Sequence, residues 1–471
     1  MTSRRPNARY TPLDAPGPLP VDMVRAVPAL VRDPLGHLER VVARYGELVA
    51  FPMPRGAVLL VNDPDGARHV LRDNPRNYTR RTVQYAALAA VTGQGLLTSD
   101  GETWRAHRQV LQPGFHRSAL TGFVDRSVTA GCQLRAAWDA AGAGQALDAD
   151  AVIMRVMLGL VGSTLFSADL APEAERIVTA VDAALHLLVR RARSPVPAGW
   201  PTPSRARLRR AVRVIDGSVA ALLAARRAGP ERADVLALLL DASSTGGSAG
   251  AVLDEGAVRD EIVTLVIAGY ETVASCLTWT LSLLADHPVV QRELAAELDA
   301  VLGDRPPTWD DVPRLRLVRA VVDESLRLYP PAWVITRRAV DDDVVAGVEV
   351  PPGTVVLLSP WLLHRRPDSW PDPLRFDPGR FLDGDGRAVG RSAPRGDYLP
   401  FGLGPRLCIG RDVALLEVVL VLATLLRGRR VHRPPGTTAP RAQALVTLRP
   451  HPATPHPLLL TPPPRDHATS R

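Results

Sequence analysis

Apolar residues recur at helical spacing along most of this chain and alternate at strand spacing over only a few short stretches. Over 34–45, Leu35, Leu38 and Val41–Val42 share one helical face, and Gly46 ends the pattern. Residues 47–62 read as two short strands about a turn at 54–56, the second being Val58-Leu59-Leu60-Val61. From 103 to 285 the spacing is predominantly helical, broken by a loop at 193–203 and a Ser/Gly-rich cluster at 243–250. The longest candidate helix, 258–286, is apolar around much of its circumference and is closed by Pro288. At 1.5 Å per residue it would run about 43 Å, so it predicts a buried helix crossing a whole domain. Helical spacing resumes over 288–328, followed by short strand-like pieces, a Pro/Asp/Arg-rich meander at 360–399 and a final helix at 408–427. Helices dominate and no βαβ alternation occurs. The pattern therefore predicts a mainly α fold with small β-sheets, one large domain over 22–471 behind an extended, Pro-rich N-terminal lead-in at 1–21.

Composition narrows the reading. Of 471 residues 46% are apolar, enough for a large core, and three cysteines exclude a disulfide-stapled fold and point to a reducing, cytoplasmic setting. All 57 basic residues are arginine and the net charge is +8, but the arginines are scattered, with no basic stripe and no DNA-reading motif. Complete absence of lysine reads as the bias of a GC-rich bacterial coding sequence, so no nucleic-acid partner is expected. The most apolar stretch, 414–426, contains Glu417 and Thr424 and falls short of the ~20 residues a membrane span needs, so no membrane anchor is expected.

Four patterns carry chemistry. The sharpest is Phe401-Gly402-Leu403-Gly404-Pro405-Arg406-Leu407-Cys408-Ile409-Gly410, leading into an apolar helix. Free N–H groups and the positive dipole end at a helix start favour a thiolate, and Arg406 adds positive charge. With no second cysteine or histidine at zinc spacing, Cys408 suits a single axial bond to a haem iron. Second, Glu324 and Arg327 stand three apart on one helical face, and Arg380 in Phe376-Asp377-Pro378-Gly379-Arg380-Phe381 is placed to reach the same carboxylate. Third, Ala268-Gly269-Tyr270-Glu271-Thr272 lies mid-helix. A glycine there predicts that a ligand needs space, the Thr272 hydroxyl can bond back to the Ala268 carbonyl, and Glu271 beside it makes a proton-relaying pair. Fourth, Trp104 and Arg108, four apart in Gly101-Glu102-Thr103-Trp104-Arg105-Ala106-His107-Arg108, form a clamp for a carboxylate. Cys276 and Cys132 read as small core residues, and Tyr270 points either at substrate or outward.

Together, and in this order, the four patterns resemble the cytochrome P450 family over nearly the whole chain. The resemblance implies a haem-thiolate monooxygenase of the soluble bacterial kind. Cys408 would ligate the iron of haem b, Phe401 would shield the sulfur, and Gly402, Gly404 and Gly410 would allow close backbone approach. Arg406, Trp104 and Arg108 would hold haem propionates, with His107 a neighbour and Ala268 and Gly269 lining the haem. Arg337 matches the remaining propionate arginine, Arg338 being the competing choice. Thr272 and Glu271 would deliver protons to dioxygen, and Glu324, Arg327 and Arg380 would form a structural triad.

The variable segments 84–97, 187–200, 266–272, 331–335 and 441–446 are rich in Ala, Val and Leu, with Tyr85 and Trp333 as larger surfaces. They predict a lipophilic substrate of terpenoid, polyketide or fatty-acyl type. No dinucleotide loop or flavin domain is present, so electrons are expected from a ferredoxin or flavodoxin with its reductase. Other readings of the same motifs are peroxygenase, coupling or dehydratase chemistry, or a haem-binding module without turnover.

Overall fold

The computed structural model describes residues 11–462, apart from 12, 54–55, 143, 171, 173, 193–201, 245–252, 385–395, 452–453 and 455. The segments 193–203 and 243–250 therefore lie largely outside the described residues.

The molecule is built around a central helix, Glu255–Asp286, three residues longer at its start than the spacing predicts. Asp254 caps it by accepting a hydrogen bond from the Ala257 N–H at 2.7 Å, a contact that periodicity does not register. Its 32 residues run about 48 Å and are buried on nearly every side. The Ala149–Phe166 helix crosses it closely at Gly269: a methyl group there would come within 3.0 Å of a Val161 methyl. Packing against this neighbour thus accounts for the mid-helix glycine, which the sequence reading had assigned to ligand space. Both helices are long and apolar enough to cross a membrane, contrary to the expectation from 414–426, and 67% and 83% of their apolar windows lie inside the fold.

A five-stranded sheet flanks the helices. Its order is Leu48–Pro52, Ala57–Val61, Val355–Leu358, Ile335–Ala339 and Tyr78–Thr79, with only the second pairing parallel. Pairing Thr79 with Arg338 brings the residue after the edge strand, Arg80, beside Arg337. A hairpin of Ala442–Ala444 and Leu448–Pro450 closes on the central helix, where Ser275 and Trp279 both donate to the Leu448 carbonyl, at 2.5 and 3.0 Å.

The expected triad is present. On the Arg316–Leu328 helix, Arg327 grips Glu324 through Nε at 2.6 Å and Nη2 at 2.8 Å, both side chains fully buried. Arg380 approaches the same carboxylate at 3.5 Å, and the Asp377 N–H donates to it at 2.9 Å. Remaining Arg327 donors reach the His364 and Pro373 carbonyls. The His364 ring accepts from the Leu399 N–H at 2.7 Å and meets the Arg327 carbonyl with Nδ1, so both nitrogens are engaged. Burial pushes this histidine down to about 3, and it stays neutral. One charged knot thus fixes the meander up to Leu399, two residues before the cysteine loop.

One departure concerns a single side chain, and one buried carboxyl has a consequence for stability. Cys132 faces outward from the Val124–Ala141 helix rather than into the core. Glu417, in the Arg411–Leu426 helix, is buried beside Thr164.

Two outcomes follow for stability. Arg327→Ala strands a buried carboxylate and is expected to cost about 3–5 kcal/mol, with a smaller loss for Arg380→Ala, read by denaturant unfolding. Burial raises the Glu417 carboxyl from 4.5 to about 8. Its contribution is therefore complete below the unfolded value and lost as pH rises through about 8. Glu417→Gln should match the parent near pH 4.5 and melt at a higher temperature at pH 9, checked by thermal unfolding at both.

Candidate active site

The cysteine loop stands between the Gly101–Leu111 helix and the start of the Arg411–Leu426 helix. The Cys408 N–H donates to the Phe401 carbonyl at 3.0 Å, closing the loop on itself. Gly404 has φ +72°, and a Cβ there would sit 2.0 Å from the Leu71 carbonyl oxygen, so this turn tolerates no side chain. Its close approach is to the backbone at Leu71 rather than to a ligand. At Gly402, φ +73°, a Cβ would meet nothing within 4 Å, and at Gly410 it would make an ordinary 3.7 Å contact with Phe115.

Cys408 is ringed by protein atoms yet keeps an exposed surface. Burial pushes its thiol up, while the Gly410 N–H and the Arg108 and Arg411 guanidiniums pull it down; without a bound cation at the sulfur, burial prevails. Arg406 takes no part in this balance. It turns instead to the Ser99 carbonyl at 2.9 Å, the Asp100 carboxylate at 2.6 Å and the Trp104 ring, whose centroid lies 4.0 Å from its guanidinium carbon. Arg108 donates to the Leu407 carbonyl at 3.0 Å. His107 is buried against Glu261 of the central helix, Nδ1 to Oε1, so it ties two helices together.

Around Tyr85 the arginines converge. Arg337 donates to the Tyr85 hydroxyl at 3.0 Å, and the guanidiniums of Arg80 and Arg337 lie 5.1 and 5.8 Å from its ring centroid. Arg338, one strand position on, points the other way and donates to the Arg81 carbonyl at 2.8 Å. Tyr85 therefore belongs to this cluster and not to the apolar segments where the sequence reading put it. Burial first, then repulsion from Arg337 and Arg108 on Arg80 and from Arg80 and Arg337 on Arg406, outweighs the opposing pull of Tyr85 and Asp100 and pushes Arg80 down to about 10 and Arg406 to about 9. Burial alone would raise the Tyr85 phenol, but Arg337, Arg80 and Arg406 outweigh it and hold it below its usual value. Asp100 is the carboxylate acting on Arg80 and Arg406 both, and the buried Arg80 Nε has no partner. Such an excess of buried positive charge calls for anions.

Haem brings two carboxylates and takes one axial thiolate. An open-faced cysteine beside an undercompensated arginine cluster fits that donor set. Arg80 escaped the sequence reading because nothing in Thr79-Arg80-Arg81 marks it; only strand pairing puts it next to Arg337.

On the central helix Ala268 is exposed and Thr272 half-buried within an otherwise buried stretch. The Thr272 hydroxyl donates to the Ala268 carbonyl at 2.8 Å, as the spacing predicts. Glu271 does not join it. Successive helical side chains diverge by ~100°, and the Glu271 carboxyl accepts from the Thr447 hydroxyl at 2.6 Å, leaving Oε2 buried without a partner. Behind Thr447, Arg449 bonds Asp150 at 2.7 Å and also Asp182, all three lining a cavity of about 320 Å³. Tyr270 is fully buried, neither outward nor hydrogen-bonded through its hydroxyl. Cys276 is buried, its thiol pushed up to about 12 by burial.

The cytochrome P450 family model matches residues 16–456, and the chain belongs to that family. It is accordingly a haem-dependent monooxygenase that uses O2 and electrons from a redox partner. Cyclooctat-9-en-7-ol 5-monooxygenase of Streptomyces melanosporofaciens is 34% identical over 93% of each chain. Pentalenene oxygenase of Streptomyces avermitilis is 35% identical over 92% of this chain and 94% of its own. Cyclooctatin synthase of Streptomyces melanosporofaciens is 33% identical over 93% and 94%.

Burial raises the Glu271 carboxyl from 4.5 to about 7, against the opposing pull of Thr447 and Arg449. Its protonated C=O band should fade as pH rises through about 7, vanish in Glu271→Gln, and persist to higher pH in Thr447→Val, because the lost bond had favoured the charged form. Infrared difference spectroscopy reads all three.

Proposed function

We propose that this enzyme inserts one oxygen atom into an unactivated C–H bond of a lipophilic terpenoid, with haem b as its cofactor. The carrying observation is the exposed thiol of Cys408 on the same loop as Arg406, which with Arg80 and Arg337 crowds around Tyr85 and has Asp100 as the carboxylate acting on Arg80 and itself. Terpenoid substrate class rests on the activities for which the relatives are named and on the apolar variable segments.

Cys408 would supply the axial sulfur, with Phe401 beside it. Arg337, Arg406, Arg108 and Arg80 would hold the propionates with Trp104, while His107 acts through Glu261 to keep its helix in place. Haem, when bound, supplies the activation of O2 that no side chain can perform. The protein's own part is to control protons. Thr272 Oγ1 spends its hydrogen on the Ala268 carbonyl and can accept a hydrogen bond from water at the same time, fixing a proton donor at that groove. Glu271 holds a proton near neutral pH at Oε1 or Oε2, facing the hairpin. Electrons would come from a ferredoxin or flavodoxin and its reductase in the cytoplasm, over the face bearing Arg411 and 427–430.

The test is the carbon monoxide difference spectrum of reduced protein beside Cys408→Ser, which should lose the thiolate signature. Thr272→Ala should retain substrate-induced spectral shifts and lose product formation by about 10²-fold, read as product per electron consumed. Full product formation from peroxide alone in Thr272→Ala would instead indicate a peroxygenase.

A further inference from the structure

The N-terminal helix Pro20–Arg32 is inside out for a helix on a protein surface. None of its residues is buried, and Val21, Val24, Val27, Leu30 and Val31 are five of the eleven large apolar side chains exposed among the described residues. Val24 is the extreme at 73% exposure. At 100° per residue, Val27, Val31, Val24, Pro28 and Val21 cover a continuous stripe of roughly 120°. The half-buried side of the helix carries Met23, Ala26 and Ala29 instead. Met23 seats it on the cluster of Leu35, Leu38, Trp361 and Leu448. The larger apolar groups thus face away from the body of the protein, and they do so on an anchored element.

Charge says what meets them. Arg25 and Arg32 fall about 20–40° past Val21, along one border of the stripe, where their stems can lie on an apolar surface with the guanidiniums turned to anions. The first ten residues of the sequence carry Arg4, Arg5 and Arg9 and no carboxylate, and Asp14 is the one acid between them and the helix. The only acid within the helix, Asp22, is spent on its N-terminal cap, accepting from the Leu19 N–H at 3.3 Å. A ridge of valines with no aromatic side chain offers a protein partner no anchor to insert into a pocket. A fluid acyl boundary with anionic headgroups needs no such anchor.

We propose that Pro20–Arg32 is an interfacial helix that docks this enzyme, without spanning, on an anionic lipid surface. The docking does not depend on the substrate assignment above.

The experiment uses the full-length holoprotein with phosphatidylglycerol-rich vesicles and with phosphatidylcholine vesicles. Co-sedimentation should be strong with the former, weaken with salt, and fall at least tenfold in Val24→Asp/Val31→Asp. Arg25→Gln and Arg32→Gln should each cost roughly fivefold on anionic vesicles and little on neutral ones. Tryptophan emission of Val27→Trp, taken against the parent protein, should gain a blue-shifted component on anionic vesicles. Absence of co-sedimentation at low salt, an unshifted Val27→Trp emission, or binding indifferent to Val24→Asp/Val31→Asp would each overturn the proposal. So would self-association abolished by Val24→Asp without lipid binding, which would make a second copy the occupant.

Discussion

Positive charge held in a low-dielectric interior without its counter-ions is the constraint around which the site is organised. Arg80, Arg108, Arg337 and Arg406 repel one another, and Asp100 and the lowered Tyr85 phenol offset only part of it. A protein tolerates such a deficit where a bound anion makes it good. On the function proposed above, the same deficit would orient a flat, doubly anionic ligand. The sulfur's own chemistry obeys the same logic. Its surroundings raise the thiol, and a cation at the sulfur would reverse that balance.

Everything else in the fold serves to hold these charges at a fixed distance. The fully buried Glu324–Arg327 pair, with Arg380 at its edge, locks the meander, and His364 passes that order to Leu399 at the head of the cysteine loop. The His107–Glu261 contact and the glycine notch against Val161 fix the central helix on both flanks. On that helix Thr272 and Glu271 stand on two different faces, Thr272 bonded back to the Ala268 carbonyl and Glu271 turned to Thr447 of the hairpin. The carboxyl raised to about 7 by burial thus sits on the second face, apart from the Thr272 hydroxyl.

How much of this was legible follows from the range over which each interaction acts. Helix-spacing and turn residues act within a few positions, so the 34–45 helix, the 47–62 hairpin, the Thr272–Ala268 bond and the Glu324–Arg327 pair could be read directly. Arg80, Glu261 and Thr447 could not, because each is defined by a partner more than 150 positions away or by strand register. Gly269 was legible as an anomaly but not as a cause: a missing Cβ says that something comes close, not whether it is a ligand or Val161. Cys132 shows the same limit, since a lone small residue on a helix carries no mark of which side faces out.

By itself the order of residues determined that a cysteine would head an apolar helix out of a glycine loop, in a mainly helical domain crossed by one long helix. Such features are local, set by backbone sterics and the 3.6-residue repeat. Only the tertiary structure decided which arginines share a cavity, that Arg337 and not Arg338 faces inward, and that Glu271 turns from Thr272. Those outcomes depend on strand register and helix packing, where a shift of one residue reverses a side chain's direction.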